Sequence, residues 1–323
     1  MKKEEKHLNS SLTNIKQPKQ KRFLTKRILT LFILMMIGVA LFFYLFSIYH
    51  DLGQAYRNAI EVPSKQMTTI TEKSPIAEHK TVTFLIVGLD YGQAGRLDEK
   101  RANVITTLTI NPTTKESIQI NISRLLKDST QDDTLSNAYN NGGLSAIKTE
   151  VESLLETPIH HTVMIELSEL RPLLDQIGGL DLEIEEAIQL SNQNFSAKTS
   201  SHLSSREVML YLQAQAEEST WEHNKRQVQV LEQVSHTLLE NFSDVRRLPQ
   251  LSQYFTEVEG ILITDVTYET FVNFVRNNYT KNLENRLVVN LRGDFYLEKS
   301  PYELINDQRL ERTKQELNQV IGQ

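Results

Sequence analysis

Apolar positions divide the chain into one unbroken hydrophobic run and a longer stretch where β-branched runs alternate with helical stripes. Ile28 to Tyr49 is an uncharged, almost wholly apolar run of 22 residues. At about 1.5 Å rise per helical residue it reaches roughly 33 Å, enough for a hydrocarbon core of about 30 Å. A cleaved leader carries a shorter apolar segment and a small-x-small site. Tyr49-His50-Asp51-Leu52-Gly53 offers no such site, so the run predicts a retained transmembrane helix.

Residues 50–80 are polar, with Pro63 and Pro75 and no sustained apolar period, and predict a juxtamembrane stalk or short helix leading into a linker. A globular domain is expected over 81–323. Thr81 to Val87, Val104 to Ile110 and Ser117 to Ile122 read as strands, the last two joined by a turn at Asn111-Pro112-Thr113-Thr114. Leu144 to Leu155 has helical spacing and stops before Pro158. Thr162 to Leu167 reads as a strand, and Leu170 to Ile177 as a helix closed by Gly178-Gly179. Ser191 to Ser201 reads as a loop. Helices are predicted over Ser205 to Ala216, Lys225 to Phe242, Val245 to Phe255, Thr267 to Asn277 and Pro301 to Ile321, with a strand at Leu287 to Leu291. The expected fold class is α/β, a mixed β-sheet with helices on both faces, preceded by one transmembrane helix.

Charge orients this plan. Nine Lys/Arg precede the apolar run against only Glu4 and Glu5, so residues 1–27 are expected in the cytoplasm and the main domain outside it. Past residue 27 the chain carries 39 acidic and 26 basic side chains, a net of −13. That surface repels a phosphate backbone and excludes a nucleic-acid partner. With no cysteine, the domain depends on its core rather than on disulfides.

An ordered set of segments carries a resemblance. FLIVGLD is followed by Arg101-Ala102-Asn103-Val104-Ile105, then INPTTKESIQINISR, SNAYNNGGLSAIKTEVESLLETPIHH, DQIGGLDLEI, HLSSREVMLYLQAQ and KRQVQVLEQV. In this order they resemble the LytR-CpsA-Psr family of bacterial envelope proteins across nearly the whole exported part. The resemblance implies an α-β-α domain on a single-pass cell-membrane anchor. It also implies a magnesium-dependent transferase that moves a glycopolymer, such as teichoic acid or capsular polysaccharide, from a polyprenyl-pyrophosphate carrier to peptidoglycan. Asp90 matches the family's Gly-x-Asp carboxylate, and Asn103 stands at its second metal position, so Mg²⁺ is expected at Asp90 and Asn103. Arg101, Arg124, Arg226 and Gln227 match pyrophosphate-binding positions, with Asp90 and Arg124 as the catalytic pair. Arginine suits this task because its planar fork pairs with phosphate in bidentate fashion.

The departures leave two functions open. Asn103 replaces a carboxylate, Ser123-Arg124-Leu125 lacks the acid of the family's Pro-Arg-Asp, and Tyr211-Leu212-Gln213-Ala214-Gln215 lacks two arginines. Thr134 stands near a frequent lysine, and His223 replaces an arginine; Asp98 is a candidate replacement metal carboxylate. One reading is a transferase with an unusual site. The other is a catalytically depleted relative that binds polyprenyl-phosphate lipid or anionic glycopolymer, or supports an active paralogue. The family's older label of transcriptional regulator or attenuator is compatible here only with an indirect effect. Among other candidates, His160-His161 reads as a structural pair, Gly142-Gly143 and Gly178-Gly179 as turns, and Trp221 as a plug at the domain edge.

Overall fold

The structure is a computed structural model that describes residues 19–61, 74–90, 101–127, 133–184, 187–190, 193–196, 199–214, 220–243, 251–283 and 286–322. Asp98, Gln215, residues 1–18 of the basic tail, 62–73 of the expected linker and 245–250 of an expected helix lie outside them. The chain forms two compact units, Met1–His50 and Asp51–Gln323. The first contains the apolar run, carried on helix α1 (Lys19–Tyr56). Among the described residues one helical stretch, Ile33–Glu61, is long and apolar enough to cross a membrane.

The second unit begins earlier than residue 81. Leu52, Tyr56, Ala59 and Ile60 are buried in its core, as is Ile76. Their helical spacing is hidden in the sequence because it continues directly from the apolar run.

The unit is built on a six-stranded mixed sheet. Strands β1 (Val82–Asp90), β2 (Arg101–Asn111) and β3 (Glu116–Ile122) form an antiparallel meander. A short β4 (Leu126–Lys127) leads to α2 (Leu135–Leu155), which is kinked at Gly143, where φ is 65°. Strand β5 (His161–Glu166) then lies parallel to β1. Helix α3 (Arg171–Ile177) ends at Gly178-Gly179, which turn the chain at φ 85° and 91° into β6 (Leu180–Ile184). A Cβ on Gly179 would press into the Leu203 carbonyl. Gly179→Ala is therefore expected to cost at least about 2 kcal/mol in urea unfolding.

The segment read as a Ser/Asn/Thr-rich loop instead contributes strands. β7 (Ile188–Leu190) and β8 (Gln193–Phe195) form a hairpin, and β9 (Thr199–Leu203) pairs with β6. Helix α4 (Ser205–Gln213) opens on a capping box in which Ser204 and Glu207 satisfy each other's backbone N–H groups. It is followed by α5 (Thr220–Ser243), α6 (Leu251–Glu257) and β10 (Leu262–Thr264), which joins β5 at the sheet edge. Helix α7 (Tyr268–Arg276), capped by Thr267, precedes β11 (Arg286–Leu291), which runs parallel to β3 at the other edge.

The expected helix from Pro301 starts late. β12 (Asp294–Leu297) and β13 (Pro301–Leu304) join β4 in a small sheet, and α8 (Asp307–Ile321) begins after the Asn306 cap. The Asn306 side chain accepts from the Arg309 N–H and fixes the helix start there rather than at Pro301.

Helices cover both faces of the main sheet. On one side, Leu85, Val87, Ile105, Ile118 and Ile120 pack against α2 and α8. On the other, the end of α1 and helices α3 to α7 share a core with β6 and β9.

Candidate functional site

The site forms where the neighbouring strands β1, β2 and β3 end or begin, at one end of the sheet's strands, the usual place for a site in an open α/β sheet. Asp90 closes β1 and stands opposite Arg101 across the β1–β2 pair, just past a register shift at Gly88/Leu89. Asn103 Nδ2 donates to Asp90 Oδ2 at 3.1 Å. From α5, Gln227 Nε2 donates to the same oxygen at 3.3 Å. The side chains of Asp90 and His223 are 12% and 13% exposed, so the carboxylate sits in a recess that still opens to solvent.

His223 lies at the centre of this arrangement. Its Nε2 is 2.9 Å from Gln227 Nε2 and 3.9 Å from Asp90 Oδ2. Since the Gln227 amide donates, Nε2 accepts. Nδ1 lies 3.0 Å from the Ala214 carbonyl. Gln227 Oε1 is left buried without a hydrogen-bond partner among the described residues.

Arg124 follows β3 and is half-buried. Burial, helped by the neighbouring Arg101 charge and opposed by Asp90, pushes its guanidinium down to about 10. Asp90, Arg101 and Arg124 are therefore close enough to feel one another.

Arg226 also anchors the end of α4. Its Nε donates to the Tyr211 carbonyl at 3.1 Å and its Nη2 to the Ala214 carbonyl, which ties down the C-terminal end of α4. It meets the cluster beside His223 Nδ1, at 3.2 Å. Thr134 is the N-cap residue of α2.

Two contributors carry little signal in the sequence. Asn224, buried on the first turns of α5, donates to the Asn103 carbonyl and fixes the start of β2. Glu166 ends β5 opposite Leu89, one residue before Asp90, and is buried with Ser168 donating to it at 2.8 Å. Burial and the Glu166 charge together raise the pKa of Tyr139. An acid that ends a strand reads in sequence as a solvated charge; only the parallel β1–β5 pairing brings Glu166 to this edge.

The remaining candidates are structural. His160 Nδ1 accepts from the Thr83 N–H, and His161 is wholly buried between Ser74 and Asp265. Trp221 is buried beneath the Arg292 guanidinium, 4.9 Å from the ring centroid. Among the described residues no group of three His, Cys, Asp or Glu is placed to hold a metal ion.

A model of the LytR_cpsA_psr family matches residues 44–319. The chain belongs to this family. One LytR_cpsA_psr relative is the polyisoprenyl-teichoic acid–peptidoglycan teichoic acid transferase TagU of Enterococcus faecalis, 22% identical over 273 residues, covering 81% of this chain and 85% of the relative. Solved structures share the fold. A transcriptional regulator from Enterococcus faecalis superposes with a TM-score of 0.63 at 22% identity, covering 77% of this chain and 91% of that one. TagT bound to LIIa-WTA superposes with a TM-score of 0.61 at 17% identity, covering 79% and 95%.

Proposed function

We propose that this LytR_cpsA_psr protein works at the cell envelope as a transferase of the TagU kind. It would receive a polyprenyl-pyrophosphate-linked glycopolymer and pass it to peptidoglycan. Arg124 carries the reading: a half-buried guanidinium beside Arg101 has a charge that burial disfavours and that a pyrophosphate would satisfy. Arg101 supplies a second cation at the same edge. In this reaction an acceptor hydroxyl attacks the phosphorus next to the glycan, the P–O–P bond breaks, and prenyl monophosphate leaves with the hydroxyl proton going to solvent. The N-terminal tail lies in the cytoplasm and the domain outside, as the charge asymmetry favours.

Magnesium fits this site with one carboxylate. Asp90 would hold it; Asn103 and Gln227 turn their amide N–H groups toward Asp90 Oδ2, so each would have to rotate to offer its oxygen, and the buried Gln227 Oε1, which accepts no hydrogen bond among the described residues, is the one such oxygen without a competing partner. Bound Mg²⁺ would neutralise developing phosphate charge, with pyrophosphate oxygens and water completing its shell.

A second reading, a binder without turnover, is favoured by one observation: Asp90 Oδ2 already accepts two amide N–H groups, one of them from the Asn103 that stands where the family pattern supplies a second carboxylate. The two readings separate in one assay. Full-length protein in nanodiscs is given a polyprenyl-pyrophosphate-linked disaccharide, peptidoglycan and Mg²⁺. Phosphodiester-linked product that Asp90→Ala reduces at least about a hundredfold supports the transferase; tight substrate binding with no product supports the binder. Mg²⁺ should raise the melting temperature of the native protein and not of Asp90→Ala. An equal rise in both removes Asp90 from the metal site.

A further inference from the structure

On the face of the main sheet covered by α2 and α8, away from α5, a cavity of about 220 Å³ opens between those two helices and β4. Its floor is aliphatic, made by Leu126, Leu135, Leu154, Ile305 and Leu310. Its walls are charged. Lys127 and Lys314 stand among Glu150, Glu156 and Asp307, so both signs line one small space.

Some of these charges are already matched. Lys314 Nζ lies 2.7 Å from Glu156 Oε1 and 3.6 Å from Glu311 Oε1. Lys127 is different: its ammonium sits over the Tyr302 ring, 4.0 Å from the centroid, which positions the side chain without neutralising it. Among the described residues no carboxylate pairs with it. Asp307, the first residue of α8 after the Asn306 cap, likewise has no ion-pair partner among the described residues. The Ile305 N–H donates to the Lys127 carbonyl at 3.2 Å, so the backbone that carries Lys127 passes two residues from Asp307. One uncommitted cation and one uncommitted anion therefore share this cavity.

We propose that this cavity binds a short zwitterionic peptide, its carboxylate paired with Lys127, its ammonium with Asp307, and its small side chains on the aliphatic floor. The volume falls below the roughly 300–1,000 Å³ of pockets for drug-sized ligands, which suits one or two small residues. Three carboxylates in the wall disfavour an anion, and two lysines disfavour a simple polycation. A hydrocarbon chain would strip water from charged groups on every side. The inference rests on the transferase reading and assigns the pocket to the peptide part of the acceptor, since peptidoglycan stems carry free amines and carboxylates on small residues. Lys127 follows Arg124 by three residues, so their Cα atoms lie within about 11 Å of each other. The Arg124 carbonyl also accepts the Ser136 N–H of α2 at 3.0 Å. A peptide held here is thus docked next to the end of the sheet where Arg124 would meet the donor.

The test titrates full-length protein in nanodiscs, by calorimetry, with alanyl-alanine in its L,L and D,D forms, the N-acetylated and C-amidated dipeptides, and free alanine. One zwitterionic dipeptide should bind, and each capped form should bind about tenfold more weakly or worse, the loss of one charge-assisted pair. Lys127→Met should erase the preference over the amide, and Asp307→Asn the preference over the N-acetyl form, with melting curves confirming that both variants fold. Inorganic pyrophosphate should bind both variants as it binds the native protein. No binding by either dipeptide overturns the pocket, as does binding that ignores the caps or survives both substitutions unchanged. Loss of pyrophosphate binding in either variant would merge the cavity with the anion site and overturn it as a peptide pocket. Free alanine bound as tightly as the dipeptide would assign the cavity to a free amino acid and overturn the acceptor role. In the transfer assay, Lys127→Met should raise KM for peptidoglycan about fivefold or more with kcat unchanged, and leave transfer to a peptide-free disaccharide acceptor as it was. Equal effects on both acceptors would overturn the peptide role. If no acceptor yields product, the transferase reading falls, while the dipeptide titrations still decide the pocket.

Discussion

Replacing Arg124 with methionine is expected to abolish pyrophosphate binding and, at the same time, to make the folded protein more stable. Burial lowers the Arg124 guanidinium well below its ordinary value, to about 10. The native state therefore holds this proton less tightly than the unfolded chain. At about 1.4 kcal/mol per pKa unit, the charged group costs the fold about 3 kcal/mol. The sign follows from the lowered native pKa: the cost is fully present below about pH 10 and is relieved only as pH rises past that value. Methionine has similar reach and no charge, and replacing buried charge with an apolar side chain is often neutral or stabilising by about 1–4 kcal/mol. Two charge-assisted hydrogen bonds to an anion are worth about 3–6 kcal/mol, so the same change should weaken pyrophosphate binding by roughly two to four orders of magnitude. Urea unfolding and calorimetric titration with inorganic pyrophosphate at about pH 7.5 measure both effects. A variant that is less stable yet binds as before would make Arg124 a structural cation and remove the main support for the anion site.

Much of this site is legible in the chain because its members sit at the ends of strands that announce themselves. Val104 to Ile110 and Ser117 to Ile122 are β-branched runs joined by a Pro-containing turn, and Arg101 and Arg124 flank them. What is not legible depends on which elements lie across from one another. SIQINI alternates apolar and polar residues, the pattern of a strand with one face in solvent. Here both faces are covered, and Gln119 and Asn121 become an interior polar surface. Pro301 resembles the first residue of a helix, yet Pro301 to Leu304 pairs with β4 and β12, a partnership local propensity does not encode. Arg226 matches a phosphate-binding position by order along the chain, and its guanidinium also donates to the carbonyls that end α4, a contact that order alone does not reveal.

The start of the domain escapes the sequence pattern for a related reason, and that segment supports the second large expectation: Asp265→Ala should destabilise the fold by about 3–5 kcal/mol. His161 is wholly buried at the start of β5. Its Nδ1 lies 3.2 Å from Asp265 Oδ1 and its Nε2 lies 2.6 Å from Ser74 Oγ. The three side chains follow the order of a hydrolase triad. Their surroundings argue for a different use. Ser74 caps a short 3₁₀ turn, its Oγ accepting from the Ile76 N–H, and all three residues are buried. Asp265 Oδ1 also accepts from the Thr162 N–H at 2.9 Å. This serine–histidine–aspartate relay thus fastens residues 74–78 to the sheet edge formed by β5 and β10. Removing the carboxylate strands two buried donors, each worth about 1–3 kcal/mol, whereas Ser74→Ala removes one partner and should cost about 1 kcal/mol. Limited proteolysis should cut Asp265→Ala near residues 74–80 before any other site in the domain, with the urea midpoint shifted to match. If Asp265→Ala unfolds within about 1 kcal/mol of the native protein, the buried relay is not what holds this segment. Its geometry would then require a chemical explanation rather than a structural one.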